Sequence, residues 1–138
     1  GKLDGKFIKY HENGQLEGGG NYKNGDGSNP GITGISRHGR NGLWKFYHEN
    51  GEIKQIRNYK DGELDGKWTY YDENGQIRNI GNSKDGLLDG KYTSYHENGQ
   101  IKREENYKDG ELDGKYTDYY ENGQIEYEKY FKDGRVIK

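Results

Sequence analysis

Histidine is the side chain best suited to acid–base or metal chemistry near neutral pH, and three of the four in this chain recur in one setting. His11, His48 and His96 each stand immediately before Glu-Asn-Gly, and Asp72 and Tyr120 take the same place in two further copies. A metal ion would need the ring nitrogens to converge. Equivalent positions in successive two-strand units lie about 10 Å apart, because strands are spaced about 4.8 Å, so a structural role at a strand end is expected instead. His38 stands alone. Asn24, Asp26 and Ser28 copy the start of a calcium loop, but Asn29 replaces the glycine such a loop needs and Ile35 its closing glutamate. Gly18-Gly19-Gly20 opens no helix, so a phosphate loop is not supported. Absence of cysteine removes disulfide and thiolate chemistry. None of these motifs gathers a nucleophile, acid or base. The reading is a protein that is not an enzyme and carries neither a cofactor nor a metal. Tyrosine is the exception: Tyr10, Tyr47, Tyr71, Tyr95 and Tyr119 hold one position in five copies, and a row of amphipathic rings suits packing or the binding of a partner.

What positions these residues is a repeat. Gly42, Gly66, Gly90 and Gly114 each open a block, 24 residues apart, and such a period marks repeat sheets and solenoids. The blocks run 5–23, 42–65, 66–89, 90–113 and 114–138, with an irregular insertion at 24–41 that holds the single proline, Pro30. Asn-Gly pairs at 13–14, 50–51, 74–75, 98–99 and 122–123 signal hairpins, because a type I′ turn needs positive φ at both central residues. Asp61-Gly62, Asp85-Gly86, Asp109-Gly110 and Asp133-Gly134 repeat that chemistry at the far end of each second strand, and Asn24-Gly25 does so for the first block. No stretch keeps a 3.6-residue period. The expected fold is all-β: an elongated antiparallel sheet or solenoid of about five tandem 24-residue β-hairpins, one repeat domain over 1–138.

Alternation then assigns faces. Pairing about Asn98-Gly99 sets His96 opposite Ile101, and pairing about Asp109-Gly110 sets Tyr107 opposite Leu112. One face collects Tyr92, Ile101, Tyr107 and Leu112, with Trp68, Ile77, Ser83 and Leu88 one block earlier and Trp44, Ile53, Tyr59 and Leu64 two blocks earlier. These sets are the predicted core. The tyrosine row falls on the opposite face, and alternation alone leaves open whether a bulge turns it back.

Composition fits a thin core. Hydrophobic residues make up 27% and charged residues 33%, with a mean hydropathy of −1.47, values typical of disorder. Against that, the net charge is only −2, and 14% of residues are aromatic, including 14 tyrosines. A core assembled unit by unit from large rings is within reach of such a chain. Acids and bases alternate, as in Lys102-Arg103-Glu104-Glu105, whereas a nucleic-acid surface clusters cations; no nucleic acid partner is expected. No apolar run approaches the roughly 18 residues of a membrane span, so no integral membrane segment is expected. The opening Gly-Lys-Leu-Asp-Gly matches the end of a block, Glu-Leu-Asp-Gly at 63–66. An upstream segment is therefore inferred to have been removed, and the location stays open between cytoplasmic and, if that segment held a signal, exported.

Gly-Lys-Trp-Thr-Tyr-Tyr-Asp-Glu-Asn-Gly-Gln-Ile at 66–77 and Tyr-Lys-Asp-Gly-Glu-Leu-Asp-Gly at 107–114 resemble the bacterial variant of the MORN (membrane occupation and recognition nexus) repeat. The resemblance covers about residues 1–23 and 41–138; Ser83, where a tyrosine is expected, and the insertion depart from it. It implies an elongated sheet of hairpins without catalytic residues. It also implies a scaffold that binds proteins and self-associates, with lipid contacts proposed for eukaryotic relatives and an antitoxin label on many bacterial ones. No residue inherits a role from it. The same blocks also look like the hairpin repeats of choline- and glucan-binding cell-wall modules, which carry aromatic cages. Here the period is 24 and tryptophan occurs only at Trp44 and Trp68. The expected function is a protein-binding scaffold, in its narrower form an antitoxin-type inhibitor of a partner protein. The alternative is a carbohydrate or cell-wall ligand module.

Overall fold

The computed structural model describes residues 2–28 and 35–137. Asn29 and Pro30, on which parts of the calcium-loop and insertion readings rest, lie outside them. The described residues form fourteen strands and no helix: β1 (Leu3–Tyr10), β2 (Leu16–Gly25), β3 (Arg40–Tyr47), β4 (Ile53–Lys60), β5 (Glu63–Leu64), β6 (Gly66–Tyr71), β7 (Ile77–Lys84), β8 (Leu87–Leu88), β9 (Gly90–Tyr95), β10 (Ile101–Lys108), β11 (Glu111–Leu112), β12 (Gly114–Tyr119), β13 (Ile125–Lys132) and β14 (Arg135–Ile137). All belong to one sheet in the order β1-β2-β3-β4-β6-β7-β9-β10-β12-β13-β14, with β5, β8 and β11 paired beside β4, β7 and β10. Five long hairpins follow one another in tandem, so the fold is the expected all-β array.

The two kinds of turn separate cleanly. Asp61, Asp85, Asp109 and Asp133 have φ of 50° and are followed by glycines at 82–85°, the type I′ pattern. At the Asn-Gly ends that geometry is absent. Only the glycine is left-handed there, for example Gly99 at 88°. The Gly99 N–H donates to the His96 carbonyl at 3.0 Å and the His96 N–H to the Gln100 carbonyl at 2.8 Å. This is a three-residue loop, a type I turn closed by a left-handed glycine. Asn98 keeps an ordinary backbone because its side-chain oxygen accepts the Gln100 N–H at 2.9 Å, an Asx turn.

The longer loop changes the register. Ile101 sits opposite Tyr95, not His96, and the next pair is Arg103 with Ser94, so two steps on β10 match one on β9. The same bulge places Leu16 opposite Tyr10, Ile53 opposite Tyr47, Ile77 opposite Tyr71 and Ile125 opposite Tyr119. Ile53, Ile77 and Ile101 therefore leave the predicted core face, since directly paired residues share a face and a one-residue slip exchanges faces.

The rest of the ladder stands. Tyr59 pairs with Leu64, Ser83 with Leu88 and Tyr107 with Leu112. Ring centroids run in series, Trp68 to Tyr92 at 5.7 Å, Tyr92 to Tyr107 at 6.3 Å and Tyr116 to Phe131 at 5.7 Å. Ser83 is explained by Trp68, whose indole N–H donates to the serine hydroxyl at 3.1 Å. The ladder is deepest near the N-terminus, where Tyr22, Trp44, Phe46 and Tyr59 are buried with Ile35.

Ile35 comes from the insertion, and 24–41 is less irregular than expected. Asn24 and Gly25 finish β2, Arg40 and Asn41 begin β3, the Gly39 carbonyl accepts the Lys23 N–H at 2.7 Å beside β2, and Ile35 and Ser36 lie on the aromatic face. Arg40 pins them. The guanidinium donates to the carbonyls of Ser36 at 2.8 Å and Ile35 at 2.9 Å and to the Tyr59 hydroxyl at 2.7 Å. It also lies 4.9 Å from the Trp44 ring, a cation–π contact strengthened by burial.

Candidate functional site

The opposite face of the sheet carries one unbroken transverse row. Ile8, Gly19, Lys45, Ile56, Thr69, Ile80, Thr93, Glu104, Thr117 and Glu128 are paired strand by strand. Thr69, Thr93 and Thr117 are buried in it. Toward the Asn-Gly turns runs the second row, the tyrosines. The bulge leaves Tyr10, Tyr47, Tyr71, Tyr95 and Tyr119 on this face and adds an aliphatic partner to each. Tyr10 is 60% exposed and the other four are half-buried.

The electrostatics of this face concentrate at its C-terminal end. Glu104 pairs with Lys91 and accepts the Tyr119 hydroxyl at 2.6 Å. These two bonds, Lys91 first, hold the Glu104 carboxyl below the usual carboxylate range. The Tyr119 phenol is pushed up to about 12 by its bond to Glu104 and by burial. Lys115 pairs with Glu128 at 3.4 Å.

The histidines act between blocks. Nε2 of His11, His48 and His96 meets the backbone carbonyl of Tyr47, Tyr71 and Tyr119 at 3.0, 3.0 and 2.9 Å. The side-chain N–H groups of Asn13, Asn50 and Asn98 donate to the carbonyls of Glu49, Glu73 and Glu121 at 2.8, 2.9 and 2.7 Å. One turn motif thus closes its own hairpin and stitches it to the next. Asp72 turns inward instead: it accepts the N–H groups of Asn74 and Gln76 at 2.9 and 3.0 Å and pairs with Arg78. On the surface His38 Nδ1 accepts the Asp26 backbone N–H at 3.1 Å. Among the described residues no group of three or more His, Cys, Asp or Glu could hold a metal ion, and no helix is long and apolar enough to cross a membrane.

One cluster escaped the sequence reading. On the ladder face Arg103 grips Asp118 with two bonds, at 2.6 and 3.2 Å, and stands 5.0 Å from the Tyr116 ring. Glu105 lies 3.7 Å from the same guanidinium and accepts the Tyr107 hydroxyl. Burial and then Glu105 push the Tyr107 phenol well above its ordinary range. Each group is held by a neighbour, and a phenol so raised is a poor proton donor to any substrate. The signal was present but faint: the equivalents of Arg103 and Asp118 are Asn79 and Ser94 one block earlier, a joint switch that only the register reveals as a pair.

A family model described as the MORN repeat variant matches residues 3–24, 40–61, 64–85, 88–109 and 112–133. Each segment spans one long hairpin, and the stretch passed over between the first two is the insertion. No curated protein matches the chain. Repeats of this kind are generally modules for binding proteins or membranes, without catalytic machinery of their own. With five hairpins matched in tandem over most of its length, the chain belongs to the MORN repeat variant family.

Proposed function

We propose that this protein is a non-enzymatic scaffold that holds a protein partner along its tyrosine face. The observation that carries this is the row of five tyrosines, each opposite Leu16 or an isoleucine. Tyrosine offers large contact area at low rotamer cost, and a spacing of about 10 Å per block suits an extended surface. The inter-block stitches favour a preorganised face, which lowers the cost of binding. The ladder face is covered by Ile35 and its neighbours at one end. An antitoxin-type role is the narrower form of this reading, in which the partner's activity is silenced by contact.

The test is recovery of a stoichiometric partner from source cells by the full chain, against a Tyr47→Ser/Tyr71→Ser/Tyr95→Ser variant whose fold is checked by circular dichroism. The partner is expected with the native sequence and lost with the variant. No partner, or one held equally by the folded variant, overturns the proposal. Binding of purified wall polymer, competed by free choline or glucan, would instead establish the carbohydrate reading.

A further inference from the structure

The three consecutive glycines of β2 face in two directions. Gly18 and Gly20 lie under the ladder. A Cβ on Gly20 would stand 2.4 Å from the Trp44 ring, and one on Gly18 2.8 Å from the Phe46 ring. Gly19 belongs to the other face, at the row position filled by Ile56, Ile80, Glu104 and Glu128 in later blocks. A Cβ there would stand 2.7 Å from the Phe7 carbonyl oxygen, so any side chain would force β1 to move away.

Two things are missing at once where Gly19 stands. The absent side chain leaves a groove of about 360 Å³ whose walls include Ile8, Leu16, Leu43 and Tyr47. Ile8, Leu16 and Leu43 are 43%, 36% and 48% exposed. No carboxylate faces Lys6 either: Glu104 and Glu128, in Gly19's place, neutralise the equivalent Lys91 and Lys115, whereas Lys6, like Lys67 with Ile80 in that place, has none. Lys45 stands beside Lys6, no acid lines the groove, and neither of these two lysines has an ion pair among the described residues.

We propose that this groove receives an apolar side chain flanked by a carboxylate, presented by an acidic segment of the partner protein. The segment restores both missing groups, leucine- or phenylalanine-sized bulk over Gly19 and a negative charge between Lys6 and Lys45. Complementary charge of this kind selects partners and register, and an aromatic or aliphatic anchor in a pocket carries much of an interface's affinity. The inference rests on the tyrosine face being the docking face, since Tyr47 borders both.

The experiment is an NMR titration of the full 15N-labelled chain with two blocked tetrapeptides, Glu-Leu-Phe-Glu and Lys-Leu-Phe-Lys. The acidic peptide is expected to shift resonances around Gly19 in β1, β2 and β3 and to bind at least about tenfold more tightly than the basic one, about 1.4 kcal/mol. Lys6→Glu/Lys45→Glu should reverse that preference, and Leu43→Asp should abolish binding; all three sites are exposed, so folding is spared. Equal response to both peptides, shifts located elsewhere, or no response at millimolar peptide overturns the proposal. So does an equal effect of free octanoate, which would mark a small-carboxylate site, or concentration-dependent shifts without peptide, which would mean a second copy fills the groove. A cellular partner lost with the tyrosine variant but kept by Lys6→Glu/Lys45→Glu would sink the groove alone and leave the broader proposal standing.

Discussion

His48 and Asn50 each commit one polar group to the neighbouring block, at 3.0 Å on the Tyr71 carbonyl and 2.9 Å on the Glu73 carbonyl. Hydrogen bonds of this kind contribute about 1 kcal/mol each. His48→Ala should lower unfolding free energy by roughly that amount in urea denaturation, and Asn50→Ala by more, because the Asn50 side-chain oxygen also accepts the Glu52 N–H at 2.9 Å, with the denaturant slope unchanged in both. An unaltered midpoint in both would show that water replaces the stitches at no cost. Glu104 provides the pH-dependent counterpart. Its carboxyl is held below the usual range by Lys91 and Tyr119, so the unfolded chain binds its proton more readily. The stability it contributes is complete above the ordinary glutamate pKa of about 4.3 and is lost as pH falls through the lower folded value. Glu104→Gln should flatten that part of the acid limb of the midpoint-against-pH curve, and an identical acid limb would count against the assignment. At this scale the recurrence of His and Asn was legible, and so was the strand-end place of the histidines, whereas the turn asparagines do not take the positive φ expected of them. The targets of both were not legible, because a carbonyl in the next block is defined only once neighbouring hairpins are in register.

At the level of hairpins and turns, the same Asx-Gly chemistry serves two loops. Asp109-Gly110 forms a two-residue turn with both residues left-handed. Gly110→Ala meets little steric obstruction, its nearest neighbour being Leu87 at 3.5 Å, so its cost is the left-handed backbone, about 1–2 kcal/mol. Gly81→Ala tests packing instead: the new Cβ would stand 2.4 Å from the Trp68 ring, and overpacking of this kind costs about 1–3 kcal/mol. Thermal or urea unfolding distinguishes the two through rescue, because Trp68→Leu should recover much of the Gly81→Ala loss and none of the Gly110→Ala loss. Hairpins were legible from the glycines. Which dipeptide sits at the centre of its turn was not, because Asn can either adopt positive φ or satisfy the loop through its side chain. Here Asn98 does the second, and the resulting bulge transfers Ile101 to the tyrosine face.

Across the whole molecule, stability is a sum over blocks and the seams between them, and the seams are unequal. His48 and Asn50 cross from the second block to the third, and His96 and Asn98 from the fourth to the fifth. Between the third and fourth, Asp72 serves its own turn, and no such stitch occurs among the described residues. The ion pair there, Arg78 with Glu97 at 4.0 Å, is the exposed kind that contributes little. Native-state hydrogen exchange should therefore be faster at Ile80 and Thr93, which pair across that seam, than at Glu104 and Thr117 across the next. Uniform protection would refute the idea of a weak seam. The period, the hairpins and the aromatic ladder followed from the sequence by itself, because each depends on spacings within one block. Tertiary structure alone decided which face the isoleucines join, what the histidines reach, how the insertion seals one end of the ladder, and what the three glycines leave open. Those outcomes depend on contacts between strands, where a one-residue slip exchanges every side chain from one face to the other.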